Sequence, residues 1–332
     1  MHKDIEARVL KAIGERVFPG CVIGVVRKKG EREVWPFGHF TYDADSQKVA
    51  EDTIYDIASI TKSIPTASLA LVLIDDGRLR LSDKLIEYIP EFANKWREEV
   101  TIEQLMRYEI HGLQLSTLKD KTPEEILQSA YSCELDDKPG TKHVYTNLPA
   151  LLLGIVVERV NGDTLDKLAQ KYFFDPLTMN RTSYFSHERL TKSFIAPTEI
   201  ENGKELRGIV QDESARAFAK AGRAVGHAGL FSTAPDILNF LEALLQGRYP
   251  NVVDGAQRGL GWQAGDTRFM GKYAGPHTFG KTGFTGTSIV CDTERGIAFV
   301  ILSNRTYPKR PPNDDAIYDF RRDIADIILG SR

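Results

Sequence analysis

The sequence predicts an α/β (α+β) protein: an antiparallel sheet built from both termini and flanked by helices, plus a mostly helical lobe supplied by the middle. Three observations predict it. Strand-like apolar runs lie near the start of the 332-residue chain and again near its end. The long section between them is patterned as helices. A two-stranded hairpin alone is marginal in water, so the terminal strands must pair with each other. One domain, residues 1–332, is therefore expected, with an α/β lobe from 1–58 and 248–332 and a helical lobe from 59–247. A cleft is expected between the lobes, where pockets commonly form.

The elements follow in order. Residues 1–17 carry Ile5, Val9, Leu10, Ile13 and Val17 at helical spacing among charges, which reads as an amphipathic helix. Residues 21–26 and 33–42 read as strands. After Ser59 the run 64–74 is nearly all apolar and stops at Asp75-Asp76-Gly77, the pattern of a buried helix. Pro65, so near its start, predicts an irregular first turn or a kink. Further helices are expected at Thr101, at Thr122-Pro123, from Pro149 to Asn161-Gly162, and after Thr233 with Pro235 in its first turn. Strands return between 276 and 303, a loop rich in Pro and charge covers 305–315, and a helix closes the chain from 315 to 329.

Composition narrows the function. Net charge is −3 without a sustained basic stretch, which argues against nucleic-acid binding. No apolar run reads as both long and uncharged enough to span a membrane. The N-terminal segment lacks the apolar core of a signal peptide, so a cytoplasmic protein, or a mature form with its leader removed, is expected. Three cysteines, Cys21, Cys133 and Cys291, do not make a disulfide framework, and Cys21 and Cys291 read as small core residues. Neither metal-ligand spacing nor a phosphate-binding glycine loop follows a strand, so no metal, nucleotide or other cofactor is expected. The expected partner is a small-molecule substrate, with no protein partner required.

Three fragments carry chemistry. Ser59-Ile60-Thr61-Lys62 places an amine one helical turn from a hydroxyl, and a serine needs such a base to act as nucleophile. Helix-terminal N–H groups around Ser59 favour an oxyanion. Ser116-Thr117-Leu118-Lys119 has the same spacing, but it lies in a polar stretch with no buried helix behind it. Tyr145-Thr146-Asn147 falls on a loop just before a helix. Tyr145 reads either as a proton carrier or as a packed ring with an exposed hydroxyl, and Asn147 can orient a lysine or bind a substrate amide. Lys281-Thr282-Gly283-Phe284 sits on a glycine-rich strand. There Lys281 and Thr282 would meet a substrate carboxylate, and the Phe284 N–H would join that of Ser59 in an oxyanion hole. The alternative is a hairpin with a solvated lysine. The glycines are expected to let backbone approach a ligand, and the edge strand to pair with an extended substrate. His227 reads first as turn geometry between glycines. No Gly-x-Ser-x-Gly elbow accompanies it to suggest a Ser-His-Asp hydrolase.

With these fragments in this order, the chain resembles the serine penicillin-recognising hydrolases: penicillin-binding proteins, class C β-lactamases and related family VIII esterases. The resemblance extends to Leu73-Ile74-Asp75-Asp76-Gly77-Arg78-Leu79, to residues 226–234 and to Ser303-Asn304-Arg305. It implies that Ser59 is acylated, Lys62 activates it, Tyr145 is general base and acid, and Lys281 anchors the substrate carboxylate. Two departures stand out. Where many relatives have a histidine-serine type segment, this chain reads Arg107-Tyr108-Glu109-Ile110-His111-Gly112, which bears on one wall of the cleft. Many esterase-like relatives have His or Trp at the position of Lys281, and lysine tilts the expectation towards β-lactam or D-alanyl-type peptide substrates over simple esters. A carboxylesterase is the alternative, and a catalytically silent binding module the second alternative.

Overall fold

The computed structural model describes residues 1–185 and 190–331. A six-stranded antiparallel sheet organises the fold. Its strands are β1 (Gly20–Arg27), β2 (Arg32–Gly38), β3 (Gln263–Ala264), β4 (Thr278–Thr282), β5 (Ser288–Asp292) and β6 (Ile297–Ser303), in spatial order β2-β1-β6-β5-β4-β3. The first strand pairs with the last, Cys21 opposite Ser303 through Arg27 opposite Ile297. The expected pairing of terminal strands is therefore present. β2 ends earlier than expected, at Gly38, where φ is +72° and a Cβ would lie 2.4 Å from the Pro19 carbonyl oxygen.

Both sheet faces are covered, which is why the strands read as continuous apolar runs and not as alternation. On one face Cys21, Ile23, Val25, Phe299 and Ile301 pack on helices α1 (His2–Gly14) and α6 (Asp315–Gly330). Ile317, Phe320, Ile324 and Ile328 recur at helical spacing along α6, and the Phe18 and Phe320 rings meet edge to face at 4.8 Å. On the other face lies α5 (Ala234–Leu245), capped by the Thr233 side chain. It packs so close that a Cβ on Gly24 would come 2.9 Å from Leu238.

The middle of the chain is wrapped around two apolar helices, α2 (Ser68–Asp75) and α3 (Leu148–Asn161). Residues 148–157 of α3 are all buried, as a helix that is apolar all round requires, and Gly162 ends it in the left-handed conformation at φ +71°. The expectation of no membrane-length apolar run needs one correction. Ala58–Asp75 reaches a mean hydropathy of 1.2 over 18 residues, with most of its length buried inside the protein. It is the central core segment of the fold.

Candidate active site

The nucleophile segment bends twice. Tyr55–Asp56 pairs with Phe231–Ser232, and a single tight turn, Ala58–Lys62, then carries Ser59. Ala58 takes φ +47°, a costly value for a residue with a Cβ. The buried Asp56 carboxylate holds it there: Oδ1 accepts the Ala58 N–H at 2.8 Å, while Oδ2 accepts the Gln211 N–H at 2.8 Å. Burial raises the Asp56 pKa to about 6 against the pull of those two donors. Beyond Lys62 the chain makes a wide turn, Ser63–Ala67, in which Ile64 leaves helical geometry (φ −115°, ψ 109°) just before Pro65. This is the break that the proline predicts, and it lets α2 start in a new direction.

Lys62 is 1% exposed, and its Nζ donates to Ser59 Oγ at 2.8 Å and to the His227 carbonyl at 2.6 Å. Burial lowers its pKa to about 7, with Asp212 working the other way. At that value the amine is substantially neutral near pH 7 and can accept a proton. Tyr145 stands above this pair, with its ring centroid 5.5 Å from Lys62 Nζ and 4.6 Å from Lys281 Nζ. Although 47% of Tyr145 is exposed, packing around its phenol dominates its acidity and raises the pKa, while a hydrogen bond with Ser59 lowers it.

Lys281 is not the solvated lysine of a hairpin. It is 1% exposed, its Nζ donates to the Tyr108 hydroxyl at 3.2 Å, and it lies 4.6 Å from the Tyr108 ring centroid. Burial, then the positive charge of Lys62, pushes its pKa well below the usual lysine value. Thr282 is half-buried beside it, and the Phe284 ring lies at the surface between the Arg305 and Arg310 guanidiniums, at 5.0 and 5.6 Å. Asn147 donates from Nδ2 to Asp212 Oδ2 at 2.9 Å; it faces that carboxylate, not a lysine.

Two expectations about the strand are corrected. β4 is not a full edge: β3 pairs with its first half, Gln263 opposite Gly280 and Ala264 opposite Phe279, so only the end from Lys281 onward is uncovered on that side. Its glycines serve the protein's own packing. A Cβ on Gly280 would lie 2.1 Å from the Ile289 carbonyl oxygen, and one on Gly283 2.1 Å from Thr287 Oγ1 and 2.5 Å from the Ile57 carbonyl oxygen.

The fold brings Ser59, Lys62, Tyr145 and Lys281 together and leaves the competing Ser116 exposed on a surface turn, Leu115–Leu118. Two participants escaped the sequence reading. Tyr108, at φ +56°, folds its ring back over Lys281 and lies 5.0 Å from the Tyr145 ring. Its place in a stretch that departs from the relatives' pattern was the only signal. Asp212 caps the helix α4 (Glu213–Lys220) and reads in sequence as an ordinary helix cap.

A serine bonded to a buried lysine that titrates near neutrality, under a phenol, is the equipment of a serine hydrolase. The beta-lactamase family model matches residues 5–323, and the chain belongs to the beta-lactamase family. It is 30% identical over 326 residues to the Escherichia coli (strain K12) protein named "Putative D-alanyl-D-alanine carboxypeptidase", covering 80% of this chain and 73% of that one. It is 27% identical over 360 residues to the N-acetylmuramyl-L-alanine amidase of Bacillus subtilis (strain 168), covering 89% and 80%. Among solved structures, EstCE1, a hydrolase with promiscuous acyltransferase activity, superposes with a TM-score of 0.75 at 19% identity, covering 99% of this chain and 98% of that one. The beta-lactamase/D-alanine carboxypeptidase from Pseudomonas syringae gives 0.75 at 19%, covering 96% and 97%. At these identities the structural likeness bears on the fold, which is that of the β-lactamase/transpeptidase proteins.

Proposed function

We propose that the enzyme forms an acyl intermediate on Ser59 and hydrolyses β-lactam or D-alanyl-type peptide amide bonds. The observation that carries this is the 2.8 Å contact between Ser59 Oγ and a buried Lys62 whose pKa is near 7. Neutral Lys62 takes the Ser59 proton as Oγ bonds to the substrate carbonyl carbon. The carbonyl oxygen gains negative charge facing the Ser59 and Phe284 N–H groups. Tyr145 delivers a proton to the departing nitrogen as the C–N bond breaks, with the Lys281 Nζ 4.6 Å from its ring centroid. A water molecule then attacks the acyl carbon and passes a proton to the Tyr145 phenolate, the bond between that carbon and Oγ breaks, and Lys62 returns its proton to Ser59. The names of the E. coli and P. syringae proteins support the peptide and β-lactam substrates.

Because Lys281 is buried, we look for the carboxylate-binding role in a group nearer solvent. Arg268 is exposed, with its guanidinium 3.9 Å from the Tyr318 ring centroid. One turn beyond Tyr318, Arg321 donates to the Gly283 and Thr287 carbonyls, both at 2.8 Å, which ties this part of α6 to the open end of β4. Arg268 is therefore our candidate for the substrate carboxylate. A carboxylesterase acting on small esters is the second reading, favoured by the same burial of Lys281.

Intact-mass measurement over time with a penicillin tests the proposal, with Ser59→Ala alongside. A lasting adduct of the drug's mass, absent in the variant, marks a penicillin-binding peptidase. Steady drug hydrolysis by unmodified enzyme marks a β-lactamase. Neither adduct nor turnover removes the proposal in favour of the ester reading. Failure to react with a serine-directed probe as well would leave only a silent module.

A further inference from the structure

Residues 211 and 212, at the head of α4, tie together pieces of the site that are far apart in the chain. The Gln211 N–H binds Asp56, which in turn holds Ala58 next to the nucleophile. Asp212 Oδ2 accepts from Asn147 Nδ2 at 2.9 Å. Asp212 Oδ1 accepts from the Ala215 N–H at 2.9 Å and from Ser214 Oγ at 2.7 Å, and lies 3.5 Å from Nε2 of the fully buried His227. Ser214 Oγ is itself 3.0 Å from that nitrogen. The His227 carbonyl is the second acceptor of Lys62. Since Ser214 spends its proton on Asp212, the geometry calls for a proton on His227 Nε2, pointing at the Ser214–Asp212 pair.

We propose that Asp212 is a positioning residue for acyl transfer: its carboxylate opposes the positive charge of the buried Lys62 and holds Asn147 and the His227 carbonyl in register with that lysine. The inference rests on Ser59 being the nucleophile. The groups that face Asp212 are His227, Lys62, Tyr145, Asn147, Ser214 and Asp56, with Arg216 beyond Asp56. Those that face Lys62 are Ser59, Tyr145, Lys281, His227 and Asp212. Two ammonium groups in one dry pocket disfavour each other, and a fixed anion is what allows one of them to keep its proton. Burial works against the Asp212 charge, but the donors from His227, Ala215 and Ser214 outweigh it and hold its pKa below the usual carboxylate range.

Capping provides the control. Asp, Asn and Ser cap helices about equally well, so Asp212→Asn and Asp212→Ser keep α4 capped while removing the charge and one of the two acceptor oxygens that Asn147, Ser214 and His227 share. The experiment follows phosphonylation of the full chain by a fluorophosphonate, by intact mass from pH 5 to 9, for wild type, both neutral variants, Asp212→Glu and Ser59→Ala. In the neutral variants the plateau rate is expected to fall about ten- to a hundredfold, and the acid limb to move down by about one pH unit. Asp212→Glu returns the limb to its wild-type position. Rates and limbs unchanged in the neutral variants would mean a cap and nothing more, and would overturn the proposal. If circular dichroism shows both neutral variants unfolded, Asp212→Glu decides alone: the limb stays and the plateau falls, whereas a wild-type plateau overturns the proposal. Labelling that persists in Ser59→Ala sinks the nucleophile assignment itself, a result separate from any of these.

Discussion

Lys62 Nζ lies 2.8 Å from Ser59 Oγ, and both sit within one tight turn whose geometry Asp56 holds from outside. The lysine must be neutral to accept the serine proton, and burial brings its pKa to about 7. kcat/KM for a neutral ester should therefore rise with pH and level off just above 7. A profile already flat from pH 5 upward would mean that another group takes the proton.

The same burial costs stability. The unfolded chain holds the Lys62 proton with a pKa of 10.5 and the folded chain with one of about 7, so the unfolded state binds more protons between these values. The cost is full at and below pH 7 and fades as pH rises towards 10.5. Lys62→Met should abolish activity yet raise the melting temperature at pH 7, by about 2 kcal/mol of stability after the lost bond to the His227 carbonyl is counted. Melting curves at pH 7 and pH 10 check it: the advantage should shrink at the higher pH.

Lys281 touches Tyr108 and Tyr145 rather than solvent. Lys281→Ala should slow neutral esters and carboxylate-bearing substrates alike, by about a hundredfold, as expected for loss of support to a general acid. Arg268→Ala should instead raise KM for the carboxylate-bearing substrates alone. Paired kinetics on one substrate of each kind separate the two roles, and a selective loss in Lys281→Ala would return the anchor to the lysine.

Gly283 has no room for a methyl group between Thr287 and the Ile57 carbonyl. Gly283→Ala should cost about 3 kcal/mol and lower activity by shifting β4 away from the Ser59 turn. Chemical denaturation reads the first effect, and a wild-type midpoint would contradict it.

Ser116 shares the spacing of Ser59 but lies on an exposed turn. Ser116→Ala should keep full reactivity towards a serine-directed probe, while Ser59→Ala should lose it.

The parts legible in the sequence were those decided locally. The three-residue step from Ser59 to Lys62 puts their side chains on one face, and Pro65 announces the break after them. The closing helix was found almost to the residue, since its apolar spacing is regular. What stayed hidden depends on distant packing. Nothing local in Lys281 reveals that Tyr108, remote in sequence, will cover it, and β3 is too short to leave a strand pattern. Asp212 gains its meaning from Asn147 and His227, while its own neighbourhood advertises only a helix cap.

The pairing of β1 with β6 carries a consequence for how the chain is made. During synthesis the hairpin of β1 and β2 leaves the ribosome early, with one edge open, and its partner strand emerges only after nearly the whole polypeptide has followed. An apolar edge waiting that long invites pairing with other chains. Such long-range closure is slow, so the protein should assemble late and as a unit, and be most at risk of aggregation while it is still nascent.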